Sequence, residues 1–314
     1  MSSKKQALVI FEGGGVKGLA HAGALSAIRD AGFEIAGVAG TSAGAIVAAL
    51  VSVGYKPYDL FDYRSEPPNR GVLDVNMTSI LADKDKKKWN SIKKHFDKKR
   101  GFIMVFMGLL SNADFISSVR NRGVFGHELF VEWLDFLLRD RLMQRYGEDD
   151  DEMRMRRRAM QEDMKDGVKF RHIRMPLKII ATDVTNRSMV VFSNSNNEFG
   201  ELKVAEAVAA SISIPFVFKP RRIKNNDVTR LYVDGGLMSN FPVWVFDEDN
   251  EQKKMPIFGL KLVERNNQIR PHKESIIRYL ADIAYTSVLG ESPLETRRVE
   301  NLHVIPLSGL KIAS

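Results

Sequence analysis

Apolar residues open the chain as a short run, not in alternation. QALVIF, residues 6–11, suits a strand buried on both faces. Three adjacent glycines interrupt it, and KGLAHAGALSAIRDAG then places small and apolar side chains at helical spacing as far as Gly32. FEIAGVAG, residues 33–40, reads as a second strand; the turn GTSAG and the helical run AIVAALVSVG follow. Strand, turn, helix, strand, turn and helix in immediate succession predict a parallel α/β sheet.

The same reading continues downstream. A helix is predicted from Val124 to Leu142, in VFGHELFVEWLDFLLRDRL. PLKIIATDVT, SMVVFSN, RLYVDGG and MPIFGLKLV read as strands, and SIIRYLADIAYTSVL as an amphipathic helix. AVAASISIPFVF holds a helix that must stop at or before Ile214, because Pro215 disfavours helical backbone in the residue preceding it. There is no internal repeat and no Pro/Ser-rich linker, so one domain over residues 1–314 is the simplest organisation. Two stretches stand apart as insertions, at about 84–110 and about 143–173. The first carries nine lysines and arginines against two aspartates over 84–100, then the apolar GFIMVFMGLL. The second joins the acidic EDDDE at 148–152 to the basic RMRRR at 154–158, and reads as a solvated helix pair or exposed insertion.

Composition narrows the chemistry. With 314 residues and 44% hydrophobic content the chain can bury a substantial core. It has no cysteine, which excludes disulfides, thiolate metal sites and a cysteine nucleophile, and suits a cytosolic setting. MSSKKQALVIF lacks the long apolar region of a signal peptide, and no run approaches the roughly 18 residues needed to span a bilayer. A soluble or peripheral protein is therefore expected. The formal charge of +8 favours anionic partners, nucleic acid or acidic lipid, although plain solubility explains it equally well.

FEGGGVKGLAHAGAL poses the sharpest question. Gly13, Gly15 and Gly18 spell G-x-G-x-x-G between a strand and a helix, the fingerprint of a dinucleotide site. That fingerprint requires an acid about 20 positions later, at the end of the second strand. Here the strand ends in VAGTSAG, without a carboxylate. A P-loop fails too, because Leu19 follows Gly18 where lysine is required.

What stands at the end of the second strand is a serine. Gly40-Thr41-Ser42-Ala43-Gly44 fits G-x-S-x-G in a strand-to-helix turn, the setting of a nucleophile elbow. A small-residue turn with Ser42 as helix N-cap is the other reading. A nucleophile needs a base and an oxyanion hole. Successive N–H groups from Gly13 to Val16 make a nest suited to an anion, and adjacent parallel strands would set it beside Ser42. For the base, His272 and His303 come late enough in the chain for a Ser–acid–His order, but each reads better as a structural residue. Asp234, at the end of the apolar strand in LYVDGGLMSNFPV, is the better candidate, able to take the serine proton directly. An ordinary Asp-Gly turn is the alternative.

Taken together, these motifs resemble the patatin-like phospholipase family over most of residues 6–245. Glu12 to Gly18, with Lys17 at a commonly basic position, is similar to its glycine-rich oxyanion loop, although Glu12 stands where the family often has aspartate. Gly40 to Gly44 is similar to its nucleophile elbow, and Asp234-Gly235-Gly236 to its Asp-Gly-Gly/Ala motif. The resemblance implies a three-layer α/β/α fold with a mainly parallel sheet. It implies Ser42 as nucleophile, Asp234 as general base, and Gly13, Gly14, Gly15 and Val16 as the oxyanion hole, with no metal or cofactor. The reaction implied is hydrolysis of carboxylic esters in membrane phospholipids, with acyl transfer or non-enzymatic lipid binding as alternatives. An activating small molecule or protein is a further partner it allows. In the first insertion Lys86, Lys87, Lys88, Lys93 and Lys94, followed by Phe102 and Phe106, suit a docking element for an anionic membrane surface. Nucleic acid is disfavoured there, since only Trp89 and Phe96 interleave with the lysines. A cytoplasmic, peripherally membrane-associated protein is the corresponding expectation.

Overall fold

The computed structural model describes residues 5–66, 70–74, 123, 125–144, 151–195, 197–225, 227–247, 254–263, 286 and 299–308. The basic and apolar insertion at 84–110, with Lys86, Lys87, Lys88, Lys93, Lys94, Phe102 and Phe106, lies outside the described residues, as do His272 and all but one position of the 275–289 helix. Strands β1 (Lys5–Phe11), β2 (Phe33–Thr41), β3 (Leu177–Asp183), β4 (Ser188–Ser193), β5 (Arg221–Asn225), β6 (Val228–Asp234), β7 (Ile257–Leu262) and β8 (Leu302–Leu307) form one sheet. Helices α1 (Ala20–Asp30), α2 (Ala43–Ser52), α3 (Pro57–Leu60), α4 (Glu128–Met143), α5 (Asp151–Asp163) and α6 (Val204–Ser211) accompany it.

The sheet order is β5-β6-β3-β2-β1-β7-β8, with β4 on β3. Neighbours from β3 to β8 along this path run parallel, whereas β4 and β6 oppose β3. The fold is thus mixed α/β with a mostly parallel central sheet flanked by helices. Side chains of β1 alternate between two cores. Val9 and Phe11 join a cluster with Leu25 of α1, Leu50 of α2, Leu134 of α4 and Val208 of α6. Leu8 and Ile10 face the other way, onto Phe241, Val243 and Phe246, which form the cover on that side among the described residues.

Each helix follows from its pattern. All ten residues of α2 are buried, as expected of a helix apolar on every side. On α4, Phe130, Leu134, Leu138 and Leu142 recur every fourth position and are buried in one stripe. α1 stops because Gly32 takes a φ of 85°, a left-handed conformation that glycine adopts without a Cβ penalty. α6 ends at Ser211, short of Pro215 as predicted. Within the charged 143–173 segment α5 is exposed along most of its length, but Met164, Val168, Phe170 and Ile173 are buried in the core, so the expected exposed insertion does not extend to residue 173. Strand β5 (RRIKN) escaped the sequence reading, because its only apolar residue is Ile223 and no alternation shows. No helix among the described residues is long and apolar enough to cross a membrane.

One detail of register sets up the site. β4 occupies one edge of β3 along residues 178–183, so β2 and β6 share the other edge. β2 runs parallel to β3 and ends with Thr41 opposite Ile180. β6 runs antiparallel and ends with Asp234 opposite Ala181. The two strands therefore meet end to end, and their last residues converge on one point of the sheet.

Candidate active site

Ser42 sits at that convergence, between β2 and α2, with φ 53° and ψ −121°. This region of backbone space favours glycine, and a serine held there carries strain of about 1–3 kcal/mol. Two glycines make the turn possible. A Cβ at Gly40 would stand 2.3 Å from the Gly44 carbonyl oxygen, and one at Gly44 would stand 2.2 Å from the Phe11 carbonyl oxygen. Either substitution would force the turn open.

The strained conformation is tied down by a residue that the sequence reading did not single out. The Ser42 N–H donates to Ser211 Oγ at 2.9 Å, and Ser211 Oγ donates in turn to the Ile180 carbonyl at 2.6 Å. Ser211 is fully buried at the end of α6. Replacing it with alanine leaves a buried N–H and a buried C=O without their partner. We expect Ser211→Ala to lose about 2 kcal/mol of stability, measured by denaturant unfolding. A drop below about 0.5 kcal/mol would show that the bridge is not holding the turn.

Ser42 does not use its side chain as a helix cap. Its Oγ donates to Asp234 Oδ2 at 2.8 Å, across 192 positions of sequence. Asp234 is completely buried. Its Oδ1 accepts the Gly236 N–H at 2.7 Å, its own N–H donates to the Ser213 carbonyl at 2.9 Å, and Thr182 Oγ1 donates to its carbonyl at 3.0 Å. A Cβ at Gly235 would stand 2.3 Å from the Ile180 carbonyl oxygen, so the turn after Asp234 lies directly on β3. Burial pushes the Asp234 carboxyl up to about 7, and the hydrogen bonds from Gly236 and Ser42 pull against that rise. A carboxylate that is half-protonated near neutrality, 2.8 Å from a strained serine hydroxyl, can accept a proton from it.

The glycine loop packs against this pair. A Cβ at Gly13 would lie 3.2 Å from Ser42 Cβ, and one at Gly18 would lie 3.3 Å from Ala43 Cβ. Gly15 has φ 58° and begins a short 3-10 turn, Gly15–Leu19, that includes Val16, Lys17 and Gly18. The Gly13 N–H, expected among the anion donors, is engaged elsewhere: it donates to the Asn240 carbonyl at 3.1 Å. Asn240 Nδ2 donates back to the Gly13 carbonyl at 3.2 Å. Glu12 is buried, and its carboxylate accepts the Leu262 N–H, which ties the loop to β7.

Among the described residues no histidine bonds to the Ser42 hydroxyl or the Asp234 carboxylate. His303 is exposed on β8, and His272 lies outside the described residues. Two buried histidines lie nearby instead. His21 Nε2 donates to the Glu12 carbonyl at 3.0 Å, and burial lowers its pKa to about 4. His127 bonds Ser213 Oγ at 3.2 Å, with burial lowering its pKa to about 3. Both are neutral at physiological pH and act as packing and hydrogen-bonding groups. No cluster of three or more His, Asp or Glu able to hold a metal occurs among the described residues.

Comparison with known proteins bears on the same residues. A family model described as patatin-like phospholipase matches residues 9–247. The uncharacterized protein YqhO of Bacillus subtilis (strain 168) is 30% identical over 268 residues, covering 84% of this chain and 73% of that protein. The probable lipid hydrolase 463L of Invertebrate iridescent virus 6 is 21% identical over 236 residues, covering 75% of this chain and 61% of that protein. Among solved structures, VipD from Legionella pneumophila matches at 16% identity with a TM-score of 0.46, over 97% of this chain and 61% of VipD. The chain thus spans less than two thirds of the viral relative and of VipD.

Proposed function

Because the chain belongs to the patatin-like phospholipase family, we propose that it is a serine lipid acyl hydrolase of the phospholipase A type, working through a Ser42–Asp234 dyad. The 2.8 Å hydrogen bond from Ser42 Oγ to Asp234 Oδ2 carries this reading. Ser42 Oγ attacks the ester carbonyl while Asp234 takes its proton, and the carbonyl oxygen becomes an oxyanion. The N–H groups of Gly14 and Gly15 receive that charge, with Val16 next in the turn; Gly13, already bonded to Asn240, is left out of the donor set. Collapse expels the lyso-lipid alcohol, which regains a proton from Asp234, and leaves an acyl-serine. Water, deprotonated by Asp234, then releases the fatty acid.

The test is fatty-acid release from mixed phospholipid vesicles containing anionic lipid, followed by mass spectrometry. Release that stops after fluorophosphonate treatment, with the adduct on the peptide containing Ser42, is the expected result. An adduct on another residue, or release that continues after full modification of Ser42, would overturn the reading.

The raised Asp234 pKa predicts a pH profile. The base must be ionised, so kcat/KM should climb with an apparent pKa near 7 and level off above it. A dyad aspartate with an ordinary carboxylate pKa would already give a flat profile by about pH 6. Initial rates on a soluble ester between about pH 5 and 9 distinguish the two.

A further inference from the structure

We infer that Asn240 is a positioning residue that aims the Gly14 N–H at the oxyanion; this rests on the hydrolase reading above. Asn240 belongs to SNFP, which follows the Asp234 turn, and is buried against the glycine loop. It grips Gly13 from both sides, through its backbone carbonyl to the Gly13 N–H at 3.1 Å and through Nδ2 to the Gly13 carbonyl at 3.2 Å. In a trans peptide the carbonyl of one residue and the N–H of the next point in opposite directions. Holding the Gly13 carbonyl toward Asn240 therefore turns the Gly14 N–H away from it.

Two further observations support a built device. The preceding peptide is fixed as well, since the Glu12 carbonyl accepts from His21 Nε2 at 3.0 Å. Consecutive peptide planes at 12–13 and 13–14 are thus locked by side chains from α1 and from the segment after β6. The Gly14 N–H makes no hydrogen bond among the described residues. Gly14 is half-buried and follows Gly13, which packs against Ser42, so its open donor is accessible to a ligand bound at the serine. Asn240 also explains the first glycine of the motif. A Cβ at Gly13 would fall 2.2 Å from Asn240 Oδ1, an atom that is buried and has no hydrogen-bond partner. Without the amide the 13–14 peptide can rotate, and the donor loses its aim although no catalytic group has been removed.

The experiment compares wild type with Asn240→Ala and with Asn240→Leu, which refills the volume without a donor. Kinetics use a soluble p-nitrophenyl ester. Inhibition uses a trifluoromethyl ketone, which forms a tetrahedral oxyanion on the serine, and its methyl ketone counterpart, which stays trigonal. Fluorophosphonate labelling of Ser42 in each variant reports the nucleophile separately. The expected result is a fall in kcat of about 10- to 100-fold with KM changed less than about 3-fold. The trifluoromethyl ketone should weaken by a similar factor and the methyl ketone should bind unchanged. Unchanged kcat and unchanged ketone affinity in either folded variant would overturn the inference, as would equal weakening of both ketones. Should alanine prevent folding, the leucine variant decides. Absence of any Ser42 adduct in wild type would instead bring down the hydrolase reading itself.

Discussion

Replacing Ser42 with alanine is expected to lower fatty-acid release by about 10⁴-fold or more, because the proposed mechanism forms its acyl intermediate on the Ser42 hydroxyl. The folded structure should survive, since the bond from the Ser42 N–H to Ser211 belongs to the backbone and alanine retains it. Strain and chemistry can then be separated at the same position. Ser42→Gly should be equally inactive yet more stable than Ser42→Ala by roughly 1 kcal/mol, because glycine reaches φ 53° without a Cβ in the way. The readouts are product release by mass spectrometry and denaturant midpoints for the two variants. Appreciable activity in either variant would remove Ser42 from the mechanism. Equal stability of the two would mean that the turn is not strained in solution.

Asp234→Asn should lower kcat by about 10³- to 10⁴-fold, since the isosteric amide keeps the geometry and cannot take a proton. Its effect on stability has the opposite sign, and follows from burial. In the folded protein the carboxyl titrates at about 7, against an ordinary value of 3.8. The native state thus holds a proton that the unfolded chain gives up. The contribution of Asp234 to stability is fully present below about pH 4, declines as pH rises, and is lost once pH passes about 7. Above that point wild type holds an ionised carboxylate with no cation among its named partners, at a cost on the order of 4 kcal/mol. The neutral amide of the variant avoids this cost. Unfolding at about pH 8 should therefore show Asp234→Asn more stable than wild type, and the difference should shrink toward about pH 5. A variant less stable at both pH values would show that burial does not penalise the ionised carboxylate as its raised pKa implies.

Much of the candidate site was legible before the fold was known, and the reasons are local. A serine flanked by glycines between a strand and a helix has few other uses for that spacing, and Gly40 and Gly44 are required by contacts within the turn and with β1. The missing ribose acid after the second strand favoured an anion nest over a nucleotide site without any tertiary information. Ser211, Asn240 and Thr182 were not legible. Each acts through a single hydrogen bond or pair of bonds to backbone atoms far away in sequence, and no periodicity or motif marks such a role. The assignment of Gly13 as a donor failed to persist for the same reason, because its N–H is claimed by Asn240 from 227 positions away.

The amino-acid sequence by itself determined the order of most strands and helices, the conformationally special glycines, the candidate serine and acid, and the family resemblance they carry. These depend on side-chain size, hydrophobic period and backbone freedom, which act over a few residues. Tertiary structure alone decided that the serine and the acid meet. β2 and β6 approach the same edge of β3 from opposite directions and stop at adjacent register positions, Ile180 and Ala181. That coincidence of register places Ser42 Oγ 2.8 Å from Asp234 and buries the carboxylate deeply enough to raise its pKa. Burial and register are sums over the whole sheet, so no local pattern in the chain can contain them.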